Sequence, residues 1–282
     1  MTSGQIVFEY YHSIANDFLA HLAHIPGVFE IEDIHQMRVS VKKLRAMYDF
    51  LEEATEGNMS ARQNYNCLKP LFKTAGRIRE NQIHEALLIE YQASPDIMNA
   101  FQLLVDQTDI SDKAQLEMSI RNFDHEAFKN AETSIRAYCS NEPDASIIIH
   151  IDRFIQNFLS LIRDILDQEI NNKSVHKIRI RLKTIKPLLG LAWQITGSHY
   201  TEENFQKLEE TEKYIGAWHD QVLLIDVLDV IMRSPNLSRG PLLEKIRDLM
   251  LLVEEKSQNL LVQIQESVTQ TINGMNNRSF SN

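Results

Sequence analysis

Ile34-His35-Gln36-Met37-Arg38-Val39-Ser40-Val41-Lys42-Lys43-Leu44-Arg45 decides how this chain is read. Ile34, Met37, Val41 and Leu44 recur at steps of three and four, the spacing of one helical face. One residue further on, His35, Arg38, Lys42 and Arg45 trace a second line, a histidine followed by cations at +3, +7 and +10. At ~100° per residue these four positions fall in a ~80° sector about 15 Å long. The pattern therefore predicts a helix with an apolar stripe flanked by a straight row of positive charge.

The phrase returns as Val175-His176-Lys177-Ile178-Arg179-Ile180-Arg181-Leu182-Lys183-Thr184-Ile185-Lys186. A second echo follows each copy. Lys73, Gly76, Arg79 and Glu80 find Lys213, Gly216, His219 and Asp220 at an offset of 140, against 141 for the two histidines. Two motifs repeated in one order at nearly one offset argue for internal duplication.

Apolar recurrence at three and four runs through nearly the whole chain, so the expected class is all-α. Long antiparallel helices are expected at 4–24, 32–55, 59–93 and 95–107, then 144–170, 173–196, 201–233 and 239–272, with shorter helical segments at 112–140. Pro26-Gly27, Gly57, Pro95, Gly197-Ser198, Ser234-Pro235 and Gly240-Pro241 punctuate them. Asp144 and Thr201 are candidate N-caps, Thr201 without a full capping-box partner. Pro187 is expected to kink its helix, and residues 273–282 to fray. Four long helices per half suggest two four-helix bundles related by a pseudo-twofold, in halves 1–141 and 142–282 of a single domain.

The formal net charge is −10, which by itself argues against an anionic ligand. The distribution reverses this. The stretches 34–48, 57–79 and 171–201 hold 15 of the 29 Lys and Arg and no Asp or Glu, which leaves −25 on the remainder. Local field, not net charge, decides what docks in a cleft. Lys69 and Lys73 lead towards Arg79 on the next helix; packed beside the first row, they would extend it along a shared groove. Like charges at i,i+4 cost a few tenths of a kcal/mol per pair. A polyanion offsets that through charge-assisted hydrogen bonds and counterion release.

Each feature has a plainer reading. A basic helical face is commonly a solvated surface. His35 and His176 are phosphate donors or helix-packing hydrogen bonders. Gly76 and Gly216 read as close-packing glycines, and Trp193 and Trp218 as core. Cys67 and Cys139 show no paired spacing, which points to no disulfide framework or zinc site. No signal-peptide pattern and no apolar run of ~18 residues is present, so the sequence reads as cytosolic with no membrane partner.

The phrase His-x-x-Arg-x-x-x-Lys-x-x-Arg, followed by Gly-x-x-Arg-Glu and repeated with Gly-x-Trp-His-Asp, resembles the CHAD domain (conserved histidine α-helical domain) over roughly residues 5–270. The resemblance implies two four-helix bundles with internal symmetry, a basic central groove that binds inorganic polyphosphate, and an association with polyphosphate granules; the groove is read as a non-catalytic receptor with no cofactor or metal site assigned. It assigns the first row to His35, Arg38, Lys42 and Arg45 and the second to His176, Arg179, Lys183 and Lys186. The glycine motifs add Lys73 with Arg79, and Lys213 with His219; Lys69 joins them from the spacing. Arginines would grip phosphate bidentately and lysines would act as point charges. The histidines would strengthen binding as pH falls through ~6.5. Glu80 stands where the family usually has Asp, and Lys186 where Arg is common.

Other classes remain open at this stage. His219-Asp220, with His199 and Asp226, is the start of an HD-type metal-dependent phosphohydrolase, although the repeat explains the pair without a metal. Nucleic acid could follow the groove, but the rows are interleaved with aliphatic residues, not stacking aromatics. A scaffold whose basic face meets a protein partner is the fourth reading. No P-loop or nucleophile elbow occurs, and neither His84-Glu85 nor His125-Glu126 has a histidine four residues on.

Overall fold

Thr2 opens the first helix with a complete capping box: its side chain accepts from Gln5 N–H while the Gln5 side chain answers the Thr2 N–H. From there the computed structural model describes residues 1–168, 170–197, 200–234 and 240–276. Among these residues the chain forms eleven α-helices and no strand. They are α1 (Ser3–His24), α2 (Ile31–Ala54), α3 (Ala61–Asn66), α4 (Lys69–Glu90), α5 (Pro95–Asp106), α6 (Asp109–Arg121), α7 (His125–Asn141), α8 (Asp144–Leu166), α9 (Asn172–Thr196), α10 (Glu202–Arg233) and α11 (Pro241–Asn276).

The all-α expectation holds, and the boundaries differ in instructive places. The single helix expected over 59–93 is two, α3 and α4. Pro70 has no N–H for the carbonyl of Asn66, so the ladder breaks there and Leu68 N–H turns back to Tyr65 O at 3.0 Å. Asp144 does not cap its own helix. Its Oδ1 accepts from Ser3 N–H at 2.8 Å and so tethers the start of α1. Thr201 does form a full capping box, with Asn204 supplying the returning side chain. The helical assignment of α9 runs through Pro187 to Thr196, and Gly197 closes it in the left-handed region at φ 66°. Helix α11 continues to Asn276; the rest of the stretch expected to fray, and Ser198 and Pro235 among the expected breaks, lie outside the described residues.

The larger apolar core joins α1, α2, α7, α8 and α9 with the first half of α10 and the second half of α11. A smaller core lies where Leu87 and Leu88 of α4 and Phe101 of α5 meet Leu228 of α10 and Val253 of α11. Both cores draw residues from either side of position 141. Helices α10 and α11 pair along their length, and a buried hydroxyl cluster pins them: Thr211 Oγ1 lies 2.6 Å from Ser267 Oγ and 2.9 Å from Thr271 Oγ1. By length and composition, α8 alone among the described helices could cross a membrane. In this fold Ile147, Ile151, Phe154, Ile155, Leu159 and Ile162 turn one face of it into the core.

The consequence for function is the placement of α2 against α9. On α2, Ile34, Met37, Val41, Leu44, Tyr48 and Leu51 are buried; on α9, Val175, Ile178, Leu182, Ile185 and Leu189 are. Burying these stripes fixes the roll of each helix, and the cations one residue further on are carried to the flank of the shared interface.

Candidate functional site

Because the two stripes face one core, the middle of each cationic row is brought to the same trough. A cavity of about 490 Å³ opens there, lined by His35, Lys42 and Lys43 from α2 and Lys183 and Lys186 from α9. Tyr10, Val39, Pro187, Gly190, Phe205 and Glu212 complete its wall. Lys42 and Lys183 are half-buried and form no ion pair with any described residue. Burial pushes the Lys42 ammonium down to about 7, and repulsion from Lys183, Arg38, Arg179 and Arg79 adds to it. Lys183 is pushed down to about 8, again by burial first, with Arg179 and Lys186 repelling and Glu212 and Asp220 opposing. The rows therefore act on each other across the trough.

Arg38 is seated by the glycine motif. Its Nη1 donates to the carbonyl of Phe72 at 2.5 Å, and its guanidinium carbon lies 4.3 Å from the Phe72 ring centre. A Cβ on Gly76 would fall 2.7 Å from Arg38 Nη1. Gly76 thus makes room for a guanidinium, not for a neighbouring helix as the sequence suggested. A Cβ on Gly216 would meet nothing within 4 Å, so the close-packing expectation fails there as well.

The second half is built differently at the equivalent point. Four residues before Gly216, Glu212 binds Lys186 through its Oε2, where the first half has Phe72 four residues before Gly76. One cation of the second row is thereby neutralised. Arg179 remains without a carboxylate within 4.0 Å among the described residues, and its Nε is buried with no protein partner. Burial lowers the affinity of both Arg38 and Arg179 for their protons, with nearby carboxylates opposing. His176 and His219 stack at 6.4 Å between ring centres, and burial, then His219 and Arg179, hold His176 below its ordinary value. His35 is held low by burial and then by Arg79. Both histidines therefore gain charge further below neutrality than the sequence suggested.

Not every expected residue joins the trough. Arg45 points along α2 to the Tyr65 ring, 5.1 Å from its centre, and lies 4.0 Å from Asp49. Lys69, Lys73 and Lys213 are exposed and none lines the cavity. Arg38, Arg79, Arg179, His176 and His219 also stand outside its lining, and the three arginines reach Lys42 only through the field. Arg79 acts on His35, Arg38 and Lys42 from α4 while donating to Gln82 Oε1 at 3.1 Å. Trp218 is buried as expected, but Trp193 is half exposed, contrary to its assignment to the core. Sequence reasoning missed Lys43, Phe72, Tyr10, Phe205 and Glu212. For Phe72 and Glu212 a signal existed, since both stand four residues before the repeated glycine.

No group of three or more His, Cys, Asp or Glu among the described residues is placed to hold a metal ion. His219 Nδ1 and Asp220 Oδ1 are 3.7 Å apart, too far for a hydrogen bond. His199 lies outside the described residues. The chemistry on offer is recognition of an anion by unpaired, partly desolvated cations.

Comparison with known proteins agrees on the fold. The model of the CHAD domain matches residues 13–229. The crystal structure of the CHAD domain from the plant Ricinus communis superimposes with a TM-score of 0.71 at 12% identity, covering 95% of this chain and 92% of that one. PptA from Streptomyces chartreusis gives a TM-score of 0.62, also at 12% identity, covering 95% of this chain and 100% of that one. No curated protein matches. At such identity the two structures speak for the fold.

Proposed function

Since this chain belongs to the CHAD domain family, we propose that its trough binds linear inorganic polyphosphate and does not turn it over. The observation that carries this reading is Lys42, a half-buried ammonium with no carboxylate partner among the described residues, crowded by Lys183, Arg38, Arg179 and Arg79. A folded protein gains nothing in stability from such a cluster. A chain of phosphates running along the trough neutralises it. Lys42 and Lys183 meet the phosphates from the two helices that line the cavity, Arg38 and Arg179 beside it supply forked hydrogen bonds as the polymer runs on, and Arg79 adds charge. His35 and His176 add charge only at acidic pH. Lys186 contributes less than the symmetry of the repeats implies, because Glu212 already holds it. On this reading the protein gathers in the cytosol where polyphosphate accumulates, in granules.

Titration calorimetry with long-chain polyphosphate tests the proposal, with DNA and an acidic polypeptide as controls. Polyphosphate binds, displaces both controls, and loses affinity linearly in log–log form as salt rises. The double change Arg38→Glu, Arg179→Glu abolishes binding while helicity is retained. Wild-type affinity in that variant, or binding indifferent to salt, rejects the proposal.

A further inference from the structure

The trough contains surface that an inorganic chain cannot use. Beside the lysines, its wall is formed by Tyr10 of α1, Val39 of α2, Pro187 and Gly190 of α9, and Phe205 of α10. Phosphate oxygens gain nothing against these groups and lose hydration there. Tyr10 and Phe205 pack against the core from behind and are only half-buried, which leaves part of each ring to the cavity. Gly190 sits within α9, where glycine is a poor helix residue, and a Cβ there would meet nothing within 4 Å. The space it leaves belongs to the cavity wall. Glu212 and Lys186 are paired at this end, so it offers a run of phosphates no net positive charge, while the carboxylate keeps lone pairs that accept N–H donors. At about 490 Å³ the cavity is the size of a small-molecule site.

We propose that this end of the trough is a subsite for a nucleoside 5′-triphosphate, its phosphates on Lys42 and Lys183 and its base against Tyr10 and Phe205. The inference rests on the reading of the lysines as phosphate ligands and adds an organic ligand class to it. Inorganic tripolyphosphate carries more charge than ATP, so a trough that works by charge alone binds tripolyphosphate more tightly. A trough with a base subsite reverses the order.

Calorimetry on the full chain at one pH and ionic strength, without divalent cations, compares these two probes. ATP is expected to bind about tenfold or more tightly than tripolyphosphate, the effect of a single base–aromatic stacking contact. Tyr10→Leu and Phe205→Ala, each of which removes one ring, each erase that preference and leave tripolyphosphate affinity unchanged; circular dichroism checks their helicity. Tripolyphosphate binding as tightly as ATP overturns the subsite and leaves the polyphosphate proposal standing. A preference that survives both variants also overturns it. Failure of both probes to bind overturns the subsite too, and the long-chain titration then judges the polyphosphate proposal separately.

Discussion

Raising the pH from 7 to 9 weakens polyphosphate binding by a few hundredfold, and the size follows from two lysines. In the free protein Lys42 is held at about 7 and Lys183 at about 8. Bound phosphates favour the charged form of both, so binding above neutrality draws a proton onto each lysine that is neutral in the free trough. If the complex keeps both charged, the affinity falls by the growth of 1 + 10^(pH − pKa) for each group. Over this interval the factor is about 50 for Lys42 and about 10 for Lys183. The inner phosphates of the polymer stay ionised throughout, so the ligand contributes little. Calorimetry at constant ionic strength, in buffers of differing ionisation heat, reads both the affinity and the protons taken up. Binding should take up more than one proton per trough at pH 8.5, and Lys42→Met should flatten the profile. An affinity that stays level between pH 7 and 9, with no proton uptake, refutes the argument that Lys42 and Lys183 face one ligand from an unpaired, desolvated state.

Three further outcomes follow from named contacts. Gly76→Ala puts a methyl 2.7 Å from Arg38 Nη1, so the guanidinium leaves the Phe72 carbonyl and polyphosphate affinity drops. The same change raises helix propensity by about 0.5–1 kcal/mol, so thermal unfolding shows a melting temperature that does not fall. Lys42→Met removes a desolvated charge and stabilises the fold by about 1–4 kcal/mol in denaturant titrations at pH 7. The folded pKa of Lys42 lies below its unfolded value near 10.5, so the cost of its charge is full below pH 7 and vanishes above the unfolded value; the variant's advantage therefore shrinks as pH rises through that window. Thr211→Val strips the hydroxyl that joins Ser267 and Thr271 and lowers stability by about 1–3 kcal/mol, measured by the same titrations, with binding retained.

Much of this architecture was legible because helices announce themselves locally. The apolar stripes of α2 and α9 fix the roll of each helix, and with it the direction of the adjoining cations. What a helical wheel cannot supply is which part of a row ends up opposite its partner. That depends on where two helices cross. Lys42 and Lys183 line one cavity, with Arg38 and Arg179 near enough to repel Lys42, while Arg45 runs past it to Tyr65, and Lys69, Lys73 and Lys213 face outward. Long-range capping was equally hidden: Asp144 serves a helix 141 positions away, not its own. The break before α4 was visible in Pro70, but the apolar period continues across it and masked the missing hydrogen bond. The pairing of Lys186 with Glu212 escaped because the repeats diverge there, Phe72 in one and Glu212 in the other. Trp193 was assigned to the core by residue type alone, and only its position on the outer side of α9 exposes it.

The most direct test of the central claim is a crystal structure of the full chain with polyphosphate bound. Phosphorus atoms are expected in the trough between α2 and α9, with phosphate oxygens within hydrogen-bond reach of both Arg38 and Arg179. Density for the polymer on the outer faces of these helices, touching one row and not the other, would contradict the account.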